Sequence, residues 1–182
     1  MNLKTNLHFH SAEDPAERIS YTLQEGIDHA AHLGFQVLAT TCHNFCAWTP
    51  EAAAYAQKRG ILLIPGIELA LHEEWRGGNP LVNGRHVVLL GADKSAEKIR
   101  TFRDLEVYRA EHPETFTIAA HPFMYRSIGY GQINLNGLLH IYIHLIDAIE
   151  HTWFYSKWFN RNRRAVEAAT ALGRPLIATS DT

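Results

Sequence analysis

Six short apolar runs in this chain each lead into a histidine, glutamate or aspartate, and that repetition constrains the fold more than any other feature. Asn2–Leu7 is followed by His8-Phe9-His10, Phe35–Thr41 by His43, and Ile61–Pro65 by Glu68. Thr117–Ala120 is followed by His121, Ile146–Ile149 by Glu150, and Pro175–Ser180 by Asp181. His86 reverses the order by opening the run His86–Leu90. Runs this short and this apolar read as strands buried on both faces. Residues that bind metals or move protons, gathered where successive strands end, are how a barrel of alternating strands and helices builds an active site.

The segments between the runs read as helices. Asp14-Pro15 suits a cap and first turn for a helix reaching Leu33, with Gly34 as its stop. Thr49-Pro50-Glu51 opens a second, alanine-rich helix that ends at Gly60. Two more are expected from Ser95 to Ala110 and from Ser156 to Leu172, the latter closed by Gly173, while Gly137–Ile146 fits helix or strand. The strand-like runs are Leu3–His8, Gln36–Thr41, Ile61–Ile67, His86–Gly91, Thr115–Ala120, Asp147–Glu150 and Pro175–Ser180. Seven strands with helices between them predict a distorted, TIM-like (β/α) barrel whose active site lies at the C-terminal ends of the strands. A doubly wound open sheet is the second choice. The loops Glu73–Arg85 and Phe123–Asn136 would leave the catalytic end and shape a substrate pocket.

Length and composition agree with a single domain over residues 1–182. Seventeen basic against 19 acidic residues give a net charge of -2, which argues against a nucleic-acid partner. No apolar run approaches the roughly 18 residues that would cross a bilayer, so no membrane partner is expected. Met1-Asn2-Leu3-Lys4 runs straight into a strand without a signal-peptide pattern, and Cys42 and Cys46 read as free thiols. Both points predict a cytoplasmic protein. Twelve histidines exceed what a core or a solvated surface requires.

The histidines and acids look like one constellation. His8 and His10, two apart on a strand, point to the same face and can reach one ion. Glu68 and Asp181 each follow an apolar run, where an unpaired carboxylate is costly to bury. A shared metal centre would account for all of them. The pairs His29/His32 and His140/His144 lack a third ligand and read as surface or packing residues. Arg161, Arg163 and Arg164 read as a solvated helix face, whereas Arg126, just after His121-Pro122, is better placed to meet a phosphate.

At these residues the chain resembles the PHP (polymerase and histidinol phosphatase) domain family. Leu7-His8-Phe9-His10-Ser11 looks like its HxH motif, Thr41-Cys42-His43 like its TDH motif, and Pro65-Gly66-Ile67-Glu68-Leu69 like its PGIE motif. His86–Gly91, Ala120-His121-Pro122 and Ser180-Asp181 follow in the family's order. The resemblance implies a metal-dependent phosphoric monoester hydrolase that uses a metal-bridging hydroxide on a small phosphorylated metabolite. It implies one transition-metal ion (Mn, Fe or Zn) on His8, His10, Glu68 and Asp181, and a second on Glu68, His86 and His121. His43, Glu68 and Asp181 would be catalytic, and Arg126, His43 and Glu150 would meet substrate. His43 would belong to the third metal position that some members have.

The chain departs from that pattern in four places. Asn6 and Cys42 stand where the family has aspartates, Ala16 stands where some members have a histidine, and the sequence stops at Thr182 where a further histidine usually follows. The expectation is therefore a PHP-like domain cut short at its C-terminus, with two strong ions and a weak third position to which Glu13 or Asp14 contributes. Two other readings remain: a metal-binding module without turnover, and a metal-dependent hydrolase of an amide or lactone. Oligomeric state is not legible.

Overall fold

Pro65 has no N–H to give a ladder, and it divides the run Ile61–Ile67 into strands of two different sheets. The computed structural model describes residues 3–124, 131–152, 160 and 162–181. In it β1 (Thr5–Asn6), β2 (Val37–Ala39) and β3 (Leu62–Ile64) form a parallel three-stranded sheet in that order. The second sheet holds β4 (Gly66–Leu71), β5 (Arg85–Leu90), β6 (Phe116–Ala119), β7 (Ala148–His151) and β8 (Leu176–Ala178), also in chain order. β4, β5 and β6 pair antiparallel, and β6, β7 and β8 pair parallel.

This overturns the expected seven-stranded TIM-like barrel: the described residues form two sheets and no closed barrel. Closure needs one continuous, staggered ladder. Here β4 passes to β5 through the loop 72–84 with no crossover helix, which forces an antiparallel pair. β1 is only two residues long. Isolated bonds tie the sheets at their margins instead. Glu68 N–H donates to the Cys42 carbonyl at 3.2 Å and Asn44 N–H to the Glu68 carbonyl at 2.8 Å. At the far side Asp181 N–H donates to the His8 carbonyl at 3.0 Å, and Asn6 Nδ2 donates to Ser180 Oγ at 2.6 Å. Gly66 allows the first of these junctions, because a Cβ there would lie 2.8 Å from the Thr40 carbonyl oxygen.

Helix starts follow side-chain caps. α1 (Leu23–His32) begins at Thr22, whose hydroxyl accepts from Glu25 N–H while the Glu25 carboxylate accepts from Thr22 N–H. The expected start at Asp14-Pro15 is thus too early, because Asp14 turns inward to histidines. α2 (Pro50–Gln57) opens at Thr49-Pro50-Glu51 as expected, with the Thr49 hydroxyl accepting from Ala52 N–H, and ends three residues before Gly60. The helix expected from Ser95 is two pieces, a short 3-10 turn at Lys94–Lys98 and α3 (Phe102–Glu111) capped by Thr101. α4 (Asn162–Ala171) is the last helix, and its expected start at Ser156 falls outside the described residues. Gly137–Ile146 resolves to turns with a 3-10 turn at Ile143–Leu145.

Alternation on β4 and β5 decides where the site lies. Ile67, Leu69, Leu71, Val87 and Leu89 face a core shared with α3 and α4. The opposite face pairs Glu68 with Val88 and Ala70 with His86, and an apolar cluster of Ala39, Val88, Leu90, Ile118, Ala120 and Ala148 lies against it. Glu68 is a buried carboxylate on this inward face, with His86 beside it and apolar side chains around them. A second core of Phe9, Ile27, Leu38, Ile61 and neighbours packs α1 and α2 on the first sheet.

Candidate metal centre

Glu68 has no solvent exposure and lies inside β4, not past its end as the sequence suggested. Five imidazoles from four parts of the chain converge on it. Its Oε1 lies 2.8 Å from His86 Nδ1 and 3.0 Å from His121 Nε2. Its Oε2 lies 2.9 Å from His43 Nε2 and 3.3 Å from both His8 Nε2 and His10 Nε2. Asp181, at the end of β8, brings Oδ1 to 3.3 Å from His8 Nε2 and 3.4 Å from His10 Nε2. All the expected metal residues, His8, His10, Glu68, His86, His121 and Asp181, therefore meet in one place, and His43 joins them.

The donor set fits a metal. His8 Nε2, His10 Nε2, Glu68 Oε2, His86 Nε2 and His121 Nδ1 are buried without a directed hydrogen-bond partner among the described residues. Orphaned polar atoms in such number are costly unless an ion satisfies them. Donors about 2.1 Å from one ion in a tetrahedral shell lie about 3.4 Å apart. The contacts linking His8, His10, Glu68 and Asp181 have that spacing. Three ligand groupings have suitably close donors: His8, His10, Glu68 and Asp181; His43, Glu68 and His86; and His10, Asp14 and His43. His29, His32, His140 and His144 enter no such grouping among the described residues.

Two buried carboxylates stand behind the imidazoles. Asp14 Oδ2 lies 2.7 Å from His10 Nδ1 and 2.9 Å from His43 Nδ1, and it accepts the His43 backbone N–H at 2.8 Å. The sequence showed Asp14 only as a helix cap or a third-position ligand. Its spacing of four from His10 was the available signal for this role. Glu13, the other third-position candidate, instead accepts from Leu23 N–H at the start of α1. Glu150, expected to meet substrate, is fully buried. It lies 2.7 Å from His8 Nδ1, accepts the His121 N–H and takes a hydrogen bond from Thr179 Oγ1. His121 and Asp181 both adopt left-handed backbone, with φ of 29° and 51°, a conformation that costs a non-glycine residue about 1–2 kcal/mol. Arg126 lies outside the described residues.

The electrostatics follow from this packing. Burial alone would depress His8, but Asp181, Glu150 and Glu68 hold it well above the usual imidazole range. Burial likewise opposes protonation of His10 and His121, and contacts with Asp14, Asp181 and Glu68 outweigh it at His10 and those with Glu68 and Asp181 at His121. His43, buried between Glu68 and Asp14, is pushed up to about 9. At His86 burial wins, and it falls to about 4. Burial opposes ionisation of Glu68, yet His86, His43 and His8 hold it well below the usual carboxylate range. Cys42 is buried, and burial with the nearby Asp14 raises it to about 11, so it is a core thiol and no nucleophile at neutral pH.

No family model matches the chain, and no curated protein does. Solved structures share its fold, two of them as follows. One is described as a "putative metal-dependent phosphoesterase" from Bifidobacterium adolescentis, with a TM-score of 0.71 at 12% identity over 100% of this chain and 88% of that one. The other is an amidohydrolase from Chromobacterium violaceum with bound sulfate and no metal, with a TM-score of 0.64 at 19% identity over 98% of this chain and 87% of that one. Identities this low show a common fold alone. Among the described residues no helix is long and apolar enough to cross a membrane.

Proposed function

We propose that this protein is a metal-dependent phosphoesterase that hydrolyses the monoester of a small phosphorylated metabolite. One observation carries the reading: a fully buried Glu68 faces five imidazoles, and four of their ring nitrogens (His8 Nε2, His10 Nε2, His86 Nε2 and His121 Nδ1) are buried without a directed hydrogen-bond partner among the described residues. His8, His10, Glu68 and Asp181 would hold one transition-metal ion, and Glu68, His86 and His121, with His43 beside them, a second. Mixed imidazole and carboxylate donors suit Mn, Fe or Zn. When bound, the ions would acidify a water and neutralise phosphoryl charge.

The chain's own groups supply positioning and proton transfer. Asp181 is the most open carboxylate of the cluster, with its side chain 14% exposed, and takes the proton of the attacking water. His43, steadied by Asp14, lies at the partly open edge and delivers a proton to the departing alcohol oxygen as the P–O bond breaks. Asp14 already serves two rings and two amides, so a third ion there would bind weakly. Arg126 is the side chain proposed to grip the phosphate. A net charge of -2 favours a small substrate over a polyanion.

The test is phosphate release from a panel of phosphomonoesters, with elemental analysis on the same sample. Release that chelation abolishes and Mn or Zn restores is expected, and Arg126→Ala should raise KM without changing metal content. Background release from fully metallated protein would leave a metal-binding module without turnover. The neighbour described as an amidohydrolase favours a second reading, hydrolysis of a non-phosphate bond. An amide and lactone panel run alongside separates the two.

A further inference from the structure

Resting on the metal-centre reading above, the geometry points to Glu150 as a positioning residue that holds two ligand residues of different strands in register and fixes the tautomer of one. Glu150 ends the inward face of β7 with no exposure, so it contributes no surface to an incoming substrate. Three donors converge on its two oxygens. Oε1 faces His8 Nδ1 at 2.7 Å and accepts from Thr179 Oγ1, while Oε2 accepts the His121 backbone N–H at 2.5 Å. These donors come from the chain after β1, after β8 and after β6 respectively. One carboxylate thus joins the first sheet to the second immediately behind the metal cluster.

Each contact has a consequence at the cluster. A neutral His8 that donates Nδ1–H to Glu150 carries its lone pair on Nε2, the atom facing Glu68 and Asp181. His121 stands at a φ of 29°, and the hydrogen bond to Glu150 holds its amide there. A ligand ring and a ligand backbone are therefore set by one group that touches neither substrate nor ion. Glutamine keeps the size of this side chain but offers one acceptor oxygen and an NH2. Either the His121 N–H or His8 Nδ1–H then loses its acceptor. If the NH2 faces His8, the ring is driven to the other tautomer, with a proton where the ion should be.

The experiment titrates Co(II) into metal-free wild type, Glu150→Gln and Asp147→Asn, reading the visible absorption of the ion. Asp147 is the control: it binds Arg109 and Thr117 away from the cluster. Glu150→Gln should bind Co(II) about 10- to 100-fold more weakly with an altered spectrum, and Asp147→Asn should match wild type even where its Tm falls. A folded Glu150→Gln with wild-type affinity and spectrum overturns the positioning role. Should wild type itself bind no Co(II), the metal-centre reading fails first, and this inference with it. Long-range 1H–15N spectra of Zn-loaded wild type test the same point without a variant. His8 should show a protonated Nδ1 and a ligated Nε2, and the opposite pattern refutes the proposal.

Discussion

Replacing Glu68 with glutamine changes one atom and should empty the centre. The side chain is fully buried, and its two oxygens lie 2.8–3.3 Å from five imidazole nitrogens. At about 3 Å and an effective dielectric of about 20, a unit charge is worth about 5–6 kcal/mol of gross attraction to each full charge it faces. Desolvation cancels part of this, so removing one partner of a buried pair costs about 3–5 kcal/mol net. At about 1.4 kcal/mol per decade that is a loss of roughly 140- to 3700-fold in metal affinity. Both positions should suffer, because the NH2 must face either His86 and His121 or His8, His10 and His43. Equilibrium dialysis against micromolar Zn followed by elemental analysis reads the result. Glu68→Gln that retains the wild-type metal content would refute the shared-carboxylate argument.

Asp14→Ala should weaken Co(II) binding about 10- to 100-fold, since it removes the common anchor of His10 and His43, whereas Glu13→Ala should cost only about 1 kcal/mol at the start of α1 and leave Co(II) binding intact. Equal effects of the two on Co(II) titration would contradict the anchoring. The metal-free protein should be most stable near about pH 6.5. Raised values at His8, His10, His121 and His43 (about 9) give stability that is complete below their unfolded value and is lost as pH climbs through the folded values. The lowered carboxylates Glu68, Asp14 and Asp181 give stability above their unfolded values that is lost in acid, and His86, lowered to about 4, adds to that acid loss. A metal-free Tm that stays flat from pH 5 to 9 would contradict these shifts, and Co(II) affinity should meanwhile rise with pH as protons leave the imidazoles.

The cluster was more legible than the fold that carries it. His8 and His10 sit at strand spacing and Glu68 stands out beside an apolar run, so residue chemistry brought these together, while the motif resemblance added His86. Strand pairing leaves no comparable mark. Nothing local in Gly66–Leu71 says that it pairs antiparallel with Arg85–Leu90, and the interruption at Pro65 reads from sequence as a strand end with no hint of a change of sheet. The true start of α1 was visible as Thr22-Leu23-Gln24-Glu25, a capping box, but the proline after Asp14 offered a competing start. Asp14 and Glu150 were hidden for another reason. Their partners are ring nitrogens 4 and 142 residues away, and only the assembled site shows which face of each imidazole is left for an ion.

Anomalous diffraction from metal-loaded crystals tests most directly whether Glu68 is the shared floor of a metal pair. Two strong peaks are expected within about 2.0–2.2 Å of their ligands, one among His8, His10, Glu68 and Asp181 and the other among Glu68, His86 and His121. A weak or absent peak is expected at His10, Asp14 and His43. A single ion, a full third ion at His43, or ions that do not touch Glu68 would contradict it.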